Sequence, residues 1–217
     1  MTEESRHETE DTKELLNQHM SFEPITIITS KVVKLQVDNI DTDRIIPARF
    51  LKSVDSSGFG KNLFHDWRYR PDGSPDPEFV LNKPEGQGQI LLTGKNFGCG
   101  SSREHAAWAL YQYGFRVIIS SGFADIFRTN ALNNGLLPLE VGADTLALLM
   151  DMHQANPSAP WTVDLQSQQL TADRQLQTAF DINPFRKHCL ITGSDVIDYL
   201  ASLKPQILEY ETNHPIK

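Results

Sequence analysis

The stretch that decides the fold is Gln89 to Ser120, QILLTGKNFGCGSSREHAAWALYQYGFRVIIS. Gln89 to Thr93 is a short apolar run that reads as a strand and breaks at a glycine. Gly94 to Gly100 holds three glycines and reads as a loop. Ser102 to Tyr113 reads as a helix ended by Gly114, a residue suited to the left-handed cap. Phe115 to Ser120 is a second strand. Strand, loop, helix, strand in that order predicts a parallel crossover and hence an α/β domain.

Downstream, the sequence predicts a helix over Ala124 to Leu132 that stops at Asn133-Asn134-Gly135. Leu136 to Val141 reads as a strand, with Pro138 favouring an edge or a strand end. A helix follows at Asp144 to Gln154, then a proline-marked turn and hairpin-like strands at Trp161 to Leu165 and Gln169 to Thr171. Helices are expected near Pro184 to Cys189 and Ser194 to Leu203, with a frayed tail over residues 205–217. Upstream, Ile25 to Ile28 and Val32 to Val37 read as β, and Asp38 to Asp43 as a polar loop. Pro47 to Gly88 is a long Gly-, Pro- and aromatic-rich segment of the kind that carries function. Residues 1–24 are expected to form a flexible acidic arm, with six acids against two bases before Met20, a candidate alternative start. Residues 25–204 are expected to make one α/β domain with β-rich additions.

The chain has 217 residues, 39% of them hydrophobic and 22% charged, which excludes a disordered chain and a disulfide mini-protein. No apolar run approaches the roughly 20 residues needed to span a bilayer. The opening residues lack a basic region followed by an apolar one, which predicts a cytoplasmic protein. A net charge of −8 argues against nucleic acid or an anionic membrane as partner, so an anionic substrate needs a local basic pocket. The two cysteines, Cys99 and Cys189, have no paired spacing. An iron-sulfur cluster normally takes three or four thiolates, so this chain alone does not supply a usual ligand set.

The densest chemical signal is Gly94 to His105. Glycines ahead of a helix let the backbone approach a ligand, and the helix start offers free N–H groups to an anion. Ser101 and Ser102 add hydroxyls and Arg103 a permanent cation, a combination suited to a carboxylate and to an oxyanion. The bland alternative is a capping box between Ser101 and Glu104. There is no Gly-x-Ser-x-Gly elbow and no Walker loop. His105 is a candidate acid or ligand, although a lone helical histidine is more often structural. Asp38, Asp41 and Asp43 read as turn formers or arginine partners, because their spacing lacks the downstream glutamate of a calcium loop. Arg49 and Lys52 follow as candidate carboxylate readers.

Four ordered motifs carry a resemblance: DNIDTDRIIPARFLK (Asp38 to Lys52), GFGKNLFHDWRY (Gly58 to Tyr69), GKNFGCGSSREHAAWAL (Gly94 to Leu110) and FADIFRTNALNNGLLPL (Phe123 to Leu139). With FRKHCLITGSDVIDYL near the end, they resemble the small-subunit family of bacterial 3-isopropylmalate dehydratase, in the aconitase superfamily. The resemblance implies a swivelling β/β/α domain with a C-terminal helical and β-hairpin extension. It implies a hydro-lyase of leucine biosynthesis that is active only with a large subunit, which holds a 4Fe-4S cluster; this chain binds no metal. Its substrate would be a small dicarboxylate hydroxy-acid. By analogy Ser101 is the base at carbon and Arg103 a carboxylate clamp. Ser102, Arg49 and Lys52 would meet substrate, while Asp43, Gly100, Glu104 and His105 support the site. Related hydratase small subunits, homoaconitase or citraconate/maleate hydratase, and a stand-alone anion-binding module are the alternatives.

Overall fold

A computed structural model describes residues 22–51 and 58–214. Its centre is a parallel sheet of β2 (Val32–Leu35), β3 (Ile90–Thr93), β4 (Val117–Ser120) and β5 (Leu137–Glu140), in that spatial order. The registers Val33↔Leu91, Leu91↔Ile118 and Ile118↔Pro138 run straight across it. β3 and β4 are buried along their whole length. This explains why they read as unbroken apolar runs: both faces of a parallel sheet are covered.

Alternate residues of these strands feed two cores. Val33, Leu91 and Ile118 pack against α3 (Glu104–Tyr113), α4 (Asp125–Asn133) and the long segment before β3. Val32, Ile90, Leu92, Val117 and Ile119 pack against α5 (Ala143–Ala155) and a second, antiparallel sheet. That sheet orders β1 (Ile27–Ser30), β6 (Trp161–Asp164), β7 (Gln169–Ala172) and β8 (Leu176–Ala179). The layers are therefore antiparallel sheet, parallel sheet and helices, the expected β/β/α arrangement. The parallel crossover through α3 is as predicted, Gly114 caps that helix at φ 119°, and Pro138 sits in the edge strand β5.

The long segment between β2 and β3 contains α1 (Thr42–Ile45), α2 (His65–Arg68) and four turns of 3-10 helix. The C-terminal extension holds α6 (Pro184–Thr192), α7 (Val196–Ser202) and α8 (Lys204–Asn213).

Three expectations need correction. β1 begins at Ile27 and turns at Lys31 directly into β2, so Ile25 is buried ahead of the strand rather than within it. β8 was not expected; its residues are only half buried at the sheet edge, so LQTA carries almost no apolar alternation. Residues 204–213 form a helix where a frayed tail was expected, with Pro205 in the first turn, where a missing N–H breaks no helical bond. The acidic arm up to residue 21, including Met20, and Lys52 lie outside the described residues. No helix among the described residues is long and apolar enough to cross a membrane.

Candidate active site

Three loops meet at the carboxyl ends of β2, β3 and β4, the edge where open α/β sheets gather ligands. The glycine-rich loop after β3 is stitched to the loop after β2: Asn39 N donates to Lys95 O (2.9 Å), Gly98 N to Ile40 O (2.7 Å) and Thr42 N to Cys99 O (2.9 Å). On its other side Phe97 N donates to Gly122 O (3.0 Å) and Ala124 N to Phe97 O (3.1 Å). Glycine is required at Gly98, where φ is 76° and a Cβ would lie 2.2 Å from Phe127 Cγ. Gly100 is also left-handed (φ 91°), with a Cβ position 3.3 Å from Asp41 Cβ.

This scaffold presents Ser101 and Ser102 as exposed residues just before α3. The carbonyl of Ser101 accepts a bond from Thr42 Oγ1 (2.9 Å), which pins the apex and leaves the hydroxyl outside. No side chain caps α3; its first residue is Glu104 and Arg103 occupies the cap position. The Ser101–Glu104 capping box is therefore absent. Glu104 Oε1 instead accepts from Asn134 Nδ2 (3.1 Å), and Asn134 Oδ1 accepts from Trp108 Nε1 (2.8 Å), so Glu104 braces α3 against the end of α4. The first N–H groups of α3 keep their positive potential towards the serines.

Arg103 is the best-defined charged group of the site. Its guanidinium grips Asp43 with Nη1 on Oδ1 (2.5 Å) and Nη2 on Oδ2 (3.1 Å), while its side chain is only 15% exposed. The Arg103 contact, then the Ala48 N–H at 2.9 Å, hold the Asp43 carboxyl below the usual range. The same pairing raises the Arg103 pKa further, so this cation stays charged throughout the working pH range.

The polar loop uses its aspartates in both expected ways. Asp38 Oδ1 accepts from Lys95 N (3.0 Å), Asp41 caps α1 through Arg44 N (2.7 Å), and Asp43 is the arginine partner. His105 packs its ring against Phe59 (5.2 Å between centroids) and Trp108 (4.7 Å), the structural arrangement.

Arg49 lies across a cleft of about 420 Å³ that Asp43 shares with Asp41, Arg44, Asp66 and Trp67. The contact of Arg49 with Asp66 and His65 was not read from the sequence. Asp66 and His65 are seventeen and sixteen residues away, at no spacing that announces a pair, although both belong to a quoted motif. Thr42, which anchors the serine loop, was missed for the same reason.

The chain's cysteines do not fit an iron-sulfur cluster. Cys99 is in the loop after β3, whereas Cys189 is buried in α6, where burial pushes its thiol pKa up and disfavours a thiolate. No group of three or more His, Cys, Asp and Glu among the described residues is placed to hold a metal ion.

The family model for the aconitase C-terminal domain matches residues 22–144. The chain belongs to that family. Among its relatives, the 3-isopropylmalate dehydratase small subunit of Cytophaga hutchinsonii is 54% identical over 191 residues, 88% of this chain and 95% of the relative. The protein of the same name from Roseiflexus castenholzii is 49% identical over 193 residues, 88% and 95% of the two chains. The crystal structure of 3-isopropylmalate dehydratase from Methanocaldococcus jannaschii superposes with a TM-score of 0.61 at 26% identity, over 86% of this chain and 99% of that one. The resemblance read from the four motifs, and the β/β/α fold it implied, are thereby borne out.

Proposed function

We propose that this chain is the non-cluster half of a 3-isopropylmalate dehydratase, isomerising 2-isopropylmalate to 3-isopropylmalate in the cytoplasmic synthesis of leucine. The observation that carries the proposal is the exposed Ser101-Ser102 apex beside Arg103, itself locked on Asp43, at the uncapped start of α3. Half an active centre is present: hydroxyls, a fixed cation and helix N–H groups point to a surface that another chain can cover.

In this reaction a carbon-bound proton and the hydroxyl of the neighbouring carbon are removed, and proton and hydroxide re-add with the two positions exchanged. Ser101 Oγ, as the alkoxide, takes the carbon-bound proton as the C–H electron pair becomes the alkene bond and the hydroxyl departs with its own bonding pair. The regenerated serine hydroxyl then returns the proton on rehydration. A serine hydroxyl is a poor base in water, so it needs the positive field of Arg103 and the helix start and a site closed to solvent. Arg103 holds a substrate carboxylate with the N–H groups that Asp43 and the Ile46 carbonyl do not use, where negative charge builds next to the deprotonated carbon. Ser102 and Arg49 add contacts to substrate, and Gly100 lets the loop turn. The partner large subunit would carry a 4Fe-4S cluster, whose iron supplies a Lewis acid for the departing hydroxyl.

The test is reconstitution. The purified chain and a cluster-loaded large subunit should each be inactive alone and convert 2-isopropylmalate when mixed. Turnover by this chain alone, or a mixture that prefers homocitrate, citraconate or maleate, would contradict the proposal.

A further inference from the structure

The FHDWRY segment has no part in the chemistry so far, yet the fold holds it in a demanding conformation. Phe64 has φ 48°, a left-handed geometry unfavourable for a bulky residue, with its ring fully buried. Its N–H donates to Ile45 O (2.8 Å) and its ring stacks on Trp67 (5.6 Å between centroids). Backbone strain of this kind persists only where the surroundings enforce it. Here it fastens the start of α2 to the end of α1, the helix that contains Asp43.

The result is a fixed place for Arg49. Nη1 of Arg49 donates to Asp66 Oδ2 (3.1 Å), Nη2 donates to Asp66 Oδ1, and Nη2 also lies 3.1 Å from His65 Nδ1. The guanidinium carbon sits 4.7 Å from the centre of the Phe50 ring, and the His65 ring contacts both Phe50 (4.7 Å) and Tyr69 (4.8 Å). An exposed arginine alone samples many rotamers. A carboxylate fork, an imidazole nitrogen that also lies 3.4 Å from Asp66 Oδ1, and an aromatic face together fix its plane. The Asp66 fork takes two of the five guanidinium N–H groups, and His65 Nδ1 takes a third in the tautomer with its proton on Nε2, leaving those on Nε and one on Nη1. Asp43 lines the same cleft as Arg49 and Asp66 and is forked by Arg103, so two cations and two carboxylates gather at one edge of the site.

We infer that Asp66 and His65 are positioning residues that hold Arg49 as a second carboxylate ligand, so that α2 sets substrate affinity while the serine loop performs the proton transfer. This deepens the dehydratase reading and rests on it. Two held cations, one forked by Asp43 and one sharing its cleft, match a substrate with two carboxylates.

The experiment is steady-state kinetics of the chain reconstituted with its large subunit. Turnover by the wild-type pair tests the dehydratase reading first, and its absence removes that reading and this inference together. Given turnover, Asp66→Asn should raise KM about tenfold with kcat within about twofold, a split that marks lost binding rather than lost chemistry. Arg49→Gln should raise KM to a similar extent, and Asp66→Asn should add nothing further in that background. His65→Phe should raise KM severalfold, and His65→Asn, whose amide oxygen takes the place of Nδ1, should restore it. An unchanged or lowered KM in Asp66→Asn, or an additive rise in the double variant, would overturn the inference. Should Asp66→Asn fail to fold, the two His65 variants decide the matter: equal KM values for Phe and Asn would overturn it.

Discussion

Arg103 and Asp43, sixty residues apart in the chain, meet as a two-pronged guanidinium-carboxylate pair at 2.5 and 3.1 Å. One comes from the start of α3, the other from α1, and between them they join the loops that leave β2 and β3. The pair fixes the plane of a cation next to two exposed serine hydroxyls. Without Asp43, Arg103 would keep its charge and lose its aim.

Asp43→Asn should therefore lower kcat/KM of the reconstituted enzyme by about tenfold or more while the chain still folds. Asp43 is exposed, so the effect on stability should be slight. A variant with normal kcat/KM would show that Arg103 is positioned by other contacts.

The same pair makes a prediction for pH. The folded carboxyl titrates below its unfolded value, which is about 3.9. Its stabilising contribution is present above that unfolded value and disappears as pH falls through the lower folded value. Carboxylate-resolved NMR titration should place the Asp43 midpoint below about 3.9. A midpoint at or above that value would mean that the ion pair does not form in solution.

His153 should act in the same direction as Asp43, nearer neutral pH. It is buried in α5, with Nε2 3.0 Å from Val32 O and no partner for Nδ1 among the described residues. Burial lowers its pKa, so the unfolded chain takes up a proton, at about 6.5, before the folded chain does. Stability should be complete above about pH 6.5 and decline from there down to the lower folded pKa. Denaturant melts at pH 5 and 7.5 should differ, and His153→Leu should reduce the difference; an unchanged difference would place its source elsewhere.

Gly98 and Gly100 differ in a way that stability measurements can read. Gly98→Ala combines a left-handed backbone with a Cβ driven into the Phe127 ring, and should cost about 3 kcal/mol or more. Gly100→Ala meets Asp41 Cβ at 3.3 Å and should cost about 1 to 2 kcal/mol. Equal costs from urea unfolding would contradict the packing described for the loop.

What the sequence made legible was local. The apolar runs at β3 and β4, the glycine loop between β3 and α3, and the cap at Gly114 could be read because each depends on neighbours within a few residues. The edge position of Pro138 followed from one missing N–H. The Arg103–Asp43 and Arg49–Asp66 forks depend on which loops the sheet brings together, and no spacing in the chain encodes that. Asp43 was named as a possible arginine partner through its motif, whereas Asp66 carried no such sign. The supposed capping box at Ser101 and Glu104 failed for a related reason: Asn134, thirty residues beyond Glu104, offered the carboxylate a tertiary partner. β8 escaped notice because an edge strand with half-buried residues needs little apolar alternation.

The most direct test of the account is Ser101→Ala in the chain reconstituted with its large subunit. Subunit association and substrate affinity should remain close to wild type while kcat falls by at least about a thousandfold, because the group that carries the proton is gone. Turnover within about tenfold of wild type would contradict the assignment of Ser101 as the proton carrier.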